Sequence, residues 1–134
     1  AALVRGVVSL VRPDRVIAVD ALSAREAARL CRAVQVTDAG IVPGSGVGNA
    51  RSALTEETLG VPVVAVGVPT VVDARTLCAD LSGAEIDLPE DTELFVTPRD
   101  IDTRVRDSAR LVGYAIDLAL HDALTIEDID MFLA

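Results

Sequence analysis

The sequence predicts an α/β domain of three layers, a largely parallel sheet flanked by helices. Two patterns carry that expectation. Short runs of β-branched apolar residues close on a carboxylate, at residues 16–20 (VIAVD) and 33–38 (AVQVTD), and segments of helical period lie between and after them. Size is the third observation: 134 residues allow one domain with its own core, so 1–134 is read as a single domain.

Taken in order, residues 2–11 place Leu3, Val7 and Leu10 on one helical face, and Arg12-Pro13-Asp14 ends that helix. Residues 16–20 predict a strand covered on both faces with Asp20 at its carboxyl end. Ser23-Ala-Arg-Glu26 supplies a capping box, so 24–32 is expected to be helical. Residues 33–38 predict a second buried strand ending on Asp38. The segment 40–51 (GIVPGSGVGNAR) is a glycine loop, and Thr55 is expected to cap a short helical turn within 52–59.

Residues 61–66 (VPVVAV) predict the third strand, and Thr70-Val-Val-Asp73 leads into a helix at about 74–81. Residues 82–94 read as loop. At Thr97-Pro98-Arg-Asp100 a capping threonine, a first-turn proline and an acid near the positive end of the dipole start the longest helix. It should reach about Leu120, with Ile101, Val105, Ala109, Val112, Ile116 and Leu120 as its buried stripe. Residues 125–132 predict a short terminal helix.

Charge and composition remove several function classes. Twelve basic against twenty-one acidic residues leave a net charge of −9 without a basic face, which argues against a nucleic-acid partner. The longest apolar run, 60–72, holds two prolines and two glycines and is too short for a bilayer helix, so no membrane partner is expected. No signal peptide is expected, because Arg5 interrupts the first apolar run. Cys31 and Cys78 lack metal spacing and read as small buried hydrophobes on helices in a reducing cytoplasm. No His/Cys/Asp/Glu cluster has metal-ligand spacing, so neither metal nor cofactor is expected. The chain begins in mid-helix pattern without an initiator methionine and reads as a fragment.

The glycine loop lacks the Gly-Lys-Ser/Thr ending of a phosphate loop, and it runs into polar residues where a dinucleotide fingerprint would open a helix. Its glycines permit positive φ or close backbone approach, with Asn49 and Arg51 able to hold a polar group at its edge. A plain connector and a functional loop both remain open. Asp20, Asp38 and Asp73 all fall at or just beyond expected strand ends, where α/β sheets gather their chemistry. Asp38 is alternatively a hydrogen-bonding anchor for the loop's start, Asp73 a cap for the next helix, and His121 a cation at a helix carboxyl end.

Three consecutive motifs carry a resemblance: VIAVDALSAR at 16–25, VTDAGIVPGSGVGNAR at 36–51 and LGVPVVAVGVPTVVDA at 59–74. In order and spacing they resemble the spore germination proteases from about Val4 to Ala74, and FVTPRDID at 95–102 with LALH at 118–121 is similar more loosely.

The resemblance implies an aspartic-type endopeptidase that degrades small acid-soluble spore proteins at germination. It further implies a zymogen, a homo-oligomer in the cytoplasm of the spore core, and a fold similar to hydrogenase maturation peptidases. Asp20 matches one of two catalytic carboxylates, in an Asp-Ala-Leu motif. The other belongs to an Asn-Val-Thr-Pro-Asp-Ala-Leu-Gly-Pro-like segment upstream of these residues, and 80–93 is shorter than the family's usual insertion.

Two carboxylates are needed because one must take a proton from water while the other gives one to the scissile carbonyl or leaving amine. Beside Asp20, the expected substrate-binding or loop-shaping residues are Asp38, Gly44, Ser45, Gly46, Gly48, Asn49 and Arg51, with Asp73 as support. Gly44, Gly46 and Gly48 would let the backbone approach an extended substrate. The alternative function is a non-catalytic peptide-binding or scaffold domain that keeps this loop.

Overall fold

The computed structural model describes residues 2–45, 52–84, 87, 89 and 92–133. They fall into two units, Ala1–Pro98 and Arg99–Ala134, which are taken separately.

In the first unit, helix α1 (Ala2–Val11) buries Val8 and leaves the expected face of Leu3, Val7 and Leu10 exposed. It closes on Arg12, whose left-handed backbone (φ 52°) lets its N–H donate to the Val8 carbonyl, and Pro13 cannot continue the helix. Strand β1 (Val16–Ala24) follows. A single 3₁₀ turn at Ala27–Arg29 leads to β2 (Gln35–Thr37), and the four-residue helix α2 (Glu56–Leu59) precedes the long strand β3 (Val63–Asp73). Helix α3 (Ala74–Ser82) and the two-residue β4 (Phe95–Val96) complete the unit.

The strand order is β1-β3-β2, with β4 also on β3. Only β1 and β3 run parallel, Asp20 facing Gly67 in their register; β2 and β4 are antiparallel to β3. The sheet is therefore mixed, and the expected largely parallel sheet is corrected. The connection explains it. A parallel return needs a crossover of a dozen or more residues, whereas ten residues holding one 3₁₀ turn link β1 to β2, enough only to turn around at the same end.

The helix expected at 24–32 is replaced for a related reason. β1 continues past Asp20 to pair Ser23 with Val71 and Ala24 with Val72, so Ser23 belongs to the ladder and makes no capping box. β3 is the core strand, with Val63, Val72 and Pro69 fully buried and an almost unbroken run of covered residues. β2 was expected to be buried, yet all three of its residues are exposed, as befits a short edge.

Pro69 sits inside β3 where it cannot donate to the ladder, and the β1 register shifts there, Leu22 facing Pro69 and Ser23 facing Val71. β1 occupies one side of β3 throughout, so β2 at 65–67 and β4 at 72–73 share the other side with a gap between them. Two groups fill that gap: the Cys31 N–H donates to the Pro69 carbonyl at 2.7 Å, and the Thr97 hydroxyl donates to the Thr70 carbonyl at 2.9 Å. Thr97 thus serves the sheet and caps no helix. Cys31 takes a left-handed backbone (φ 52°) in a turn outside any helix; Cys31 and Cys78 are half-buried, not buried, and neither is in a disulfide.

The caps follow local rules. Thr55 and Thr58 form a reciprocal capping box on α2, which ends on Gly60 at φ 74°. Asp73 caps α3 by accepting from the N–H groups of Arg75 and Thr76, and Gly83 closes it in the left-handed region. The Asp80 carboxylate accepts the Ala27 N–H at 2.6 Å and ties the 3₁₀ turn to α3.

In the second unit, α4 (Ile101–Leu120) and α5 (Ile126–Leu133) pack on one another. Asp100 stands at the α4 N-cap without a side-chain cap bond; its carboxylate instead pairs with Arg104 at 2.8 Å. Of the expected stripe, Val112 is buried, whereas Val105, Ala109 and Leu120 are exposed. Tyr114 donates to the Asp130 carboxylate, and Arg110 reaches both partners across the helix pair. Thr125 and Asp128 cap α5 reciprocally: the Asp128 carboxylate accepts the Thr125 hydroxyl and N–H, and Thr125 Oγ1 accepts the Asp128 N–H.

Two predictions follow from the caps. Asp73→Ala removes the one carboxylate oxygen that accepts both N–H groups at the α3 start and is expected to lower stability by about 1 kcal/mol, read as a lower urea midpoint at unchanged slope. In the α5 cap, the Thr125 hydroxyl and then its N–H hold the Asp128 carboxyl below its ordinary value. A lowered folded-state value means that the cap stabilises the ionised form above the unfolded value, and that this is lost as pH falls through the folded one. Thr125→Ala should therefore move the Asp128 titration upward toward the ordinary carboxylate range in an NMR pH series; an unmoved midpoint would contradict the cap.

Candidate functional site

Asp20 lies in the middle of β1, not at its end, half-buried and facing Gly67. Its Oδ1 accepts the N–H of Ala21 at 2.9 Å. Gln35 of β2 faces the same Gly67 from the other side, so Asp20, Gly67 and Gln35 form one row across three strands. Two strand spacings separate the outer members by about 10 Å. Gly67 is required in this row: a Cβ there would overlap the side chain of Leu22, which leans over the glycine from β1.

A cleft of about 490 Å³ opens at the carboxyl end of the β1–β3 pair, lined by Leu22, Ser23, Ala24, Arg25, Gln35, Ser45, Asp73 and Thr76. Of the residues expected from the sequence, it brings together Ser45 and Asp73. Asp20 stands outside it, one row toward the sheet's middle beside Leu22 and in line with Gln35. Asp73 contributes a carboxylate already engaged by two N–H groups of α3.

Asp38 goes elsewhere. Because β2 runs antiparallel, its carboxyl end points to the amino end of β3, and Asp38 follows the Thr37–Ala65 pair at the far end of the sheet from Asp73. The strand rise puts roughly 25–30 Å between those two levels. Asp38 is exposed, and at the loop's entry it is Thr37 Oγ1 that accepts the Ala39 N–H. The three aspartates therefore occupy three levels of the sheet, and the expectation that they gather at one edge is corrected.

The base of the glycine loop is closed by a two-way bridge, Ile41 N–H to the Leu54 carbonyl at 3.0 Å and Leu54 N–H to the Ile41 carbonyl at 2.8 Å. Gly40 makes this possible: at φ 78° its α-carbon faces the Leu54 carbonyl and Thr55, where any Cβ would overlap. The Ser45 N–H then donates to the Val42 carbonyl at 3.2 Å across Pro43 and Gly44, with Gly44 at φ 77°, the pattern of a type II turn. Gly44 and Ser45 thus shape the rising arm of the loop toward the cleft. Gly46, Gly48, Asn49 and Arg51 lie outside the described residues.

Sequence reasoning missed Ser23, Arg25, Gln35 and Thr76 as cleft residues. The local pattern makes Ser23 the cap and Arg25 part of the first turn of a helix at 24–32, and the β-branched run that marks the strand ends at Val19, so no local signal extends β1 through Ser23. Gln35 could have been found, being the polar residue between Val34 and Val36 inside the expected strand. Among the described residues, no group of three or more His, Cys, Asp or Glu side chains could hold a metal ion, and no helix is long and apolar enough to cross a membrane. His121 is the C-cap residue of α4.

Gly40→Ala should cost about 1–3 kcal/mol through its backbone conformation alone, and more through overlap with Leu54; a urea midpoint matching wild type would refute that requirement.

The germination protease family model matches residues 1–84. The germination protease of Clostridium tetani is 36% identical over 165 aligned positions, covering 99% of this chain and 51% of the relative. That of Caldanaerobacter subterraneus is 37% identical with the same coverage, and that of Bacillus subtilis is 55% identical over 78 residues, 58% of this chain and 21% of the relative. The chain spans about half the length of the curated relatives it matches first. An alignment of 165 positions against 134 residues also means that those relatives carry residues within the match that this chain lacks. With the motif around Asp20 and the loop clamped by Gly40 both inside the matched span, the chain belongs to the germination protease family.

Proposed function

We propose that this chain takes part in peptide-bond hydrolysis during spore germination, with small acid-soluble spore proteins as substrate and Asp20 as one of two catalytic carboxylates. The observation that supports it most is the family match across the Asp20 motif, together with the position of Asp20 beside a cleft that Gln35 joins to its row. Asp20 in its ionised form would take a proton from the attacking water, and a protonated partner would give one to the carbonyl oxygen or leaving amine. The resemblance assigns that partner to the upstream Thr-Pro-Asp-Ala-Leu-like segment; Asp38 and Asp73, lying at other levels of the sheet, are poorly placed for it. An aspartic-type mechanism, synthesis as a zymogen, homo-oligomeric assembly, action in the spore core and a fold similar to hydrogenase maturation peptidases belong to the same reading. So does the treatment of 1–134 as one domain.

One observation favours a second reading. The cleft's only carboxylate, among the described residues, is Asp73, and it is engaged in capping α3. A cleft without a disposable acid suits binding of an extended peptide without its hydrolysis.

Asp20→Asn separates the two. In the protease reading it lowers turnover of small acid-soluble spore proteins by about 10²–10⁴-fold while the thermal unfolding midpoint stays at wild type. Turnover near wild type would overturn the assignment of Asp20, and peptide binding without hydrolysis in both proteins would establish the second reading.

A further inference from the structure

Gln35 stands in the Asp20 row on a different strand. Asp20 of β1 and Gln35 of β2 both face Gly67, one from each side, so the three residues share one level and direct their side-chain positions to one face of the sheet. The pairings that bring Gln35 into line run between β1, β3 and β2 alone, and all three strands lie within the family-matched span.

The middle of the row is apolar. The Leu22 side chain lies where a Cβ on Gly67 would project, so the face presents a carboxylate, an isobutyl floor and a carboxamide in turn across the three strands. Leu22 and Gln35 also bound the cleft, which places the carboxamide where the Asp20 row meets it. The Asp20 carboxylate is turned to the N–H of Ala21, so the two polar ends of the row do not meet one another. A segment laid across the floor would touch both.

The two ends are suited to different work. An ionised carboxylate accepts a proton, whereas a carboxamide carries no charge and offers N–H donors together with a carbonyl acceptor. That pairing matches the C=O and N–H of one residue in an extended chain. Separation then decides which residue: the row spans about 10 Å and an extended chain advances about 3.3 Å per residue, so the two ends are about three residues apart along a chain that crosses it.

We propose that Gln35 is a substrate-binding residue that holds the main chain of the substrate about three residues from the bond presented to Asp20. It fixes which peptide group lies over the carboxylate and takes no part in proton transfer. The inference rests on the reading of Asp20 as a catalytic carboxylate for its reference point.

The test measures turnover of a peptide drawn from a small acid-soluble spore protein and containing one cleaved bond, and of two shortened forms that keep a single residue on one side of that bond or on the other. On the long peptide, Gln35→Ala should lower kcat/KM about tenfold through loss of one or two hydrogen bonds, chiefly by raising KM. One shortened form should show the same loss, and the other should be cleaved equally by both proteins, because the residue that Gln35 holds is gone. Gln35→Met keeps the length of the side chain without its polar atoms and should repeat this pattern, with the unfolding midpoint near wild type. If the wild-type protein binds the peptides without cleaving them, dissociation constants are read in place of kcat/KM and the same pattern is expected.

An equal loss on all three peptides overturns the proposal, since a residue that acts through the fold does not distinguish peptide lengths. No loss on the long peptide overturns it as well. Length-dependent loss in Gln35→Met with normal turnover in Asp20→Asn would keep the contact and remove Asp20 from the chemistry; lost turnover in Asp20→Asn with no length dependence in Gln35→Met would do the reverse.

Discussion

The burial of β3 imposes the constraint on which the rest of the first unit depends. A strand covered on both faces must place every carbonyl with a donor, because an unpaired buried peptide group costs as much as a lost hydrogen bond or more. Pro69, itself fully buried, interrupts that strand. The structure answers by bending the register against β1 and by calling on two distant residues, Cys31 and Thr97, to serve the carbonyls at 69 and 70. The turn after β1 and the approach to β4 are both held in place by this need.

The same irregularity shapes the candidate site. Because the register shifts after Leu22, β1 runs on to Ala24 and delivers Ser23 and Arg25 to the cleft, opposite Gln35 and the start of α3. Leu22 finds its place over Gly67, which has no side chain to oppose it. Asp20, one pleat earlier, is left on the same sheet face but outside the cleft, with its carboxylate turned to the sheet's edge. Its usefulness to chemistry depends on what comes to that edge.

The parts of this account that were legible in the residues are those set by neighbours close in sequence. The Thr55 cap, the Asp73 cap and the end of α4 at Leu120 each follow from a few adjacent side chains and the backbone groups they can reach. Thr97 shows where that reasoning stops. It has the composition of a helix cap, yet a sheet carbonyl twenty-seven residues away competes for its hydroxyl and wins. Ser23 fails in the same way, since pairing with Val71 outweighs a local capping box.

The sequence by itself determined the family, the α/β alternation, the position of the glycine loop and the motif that surrounds Asp20, because residue identity and spacing carry these directly. Only the tertiary structure decided the sheet's directions. Antiparallel β2 sends Asp38 to one end of the sheet while Asp73 stays at the other, and β1, lengthened by its pairing with β3, puts Asp20 between them. Strand direction depends on which partner supplies hydrogen bonds across the fold, and that pairing is not written in the local pattern of either strand.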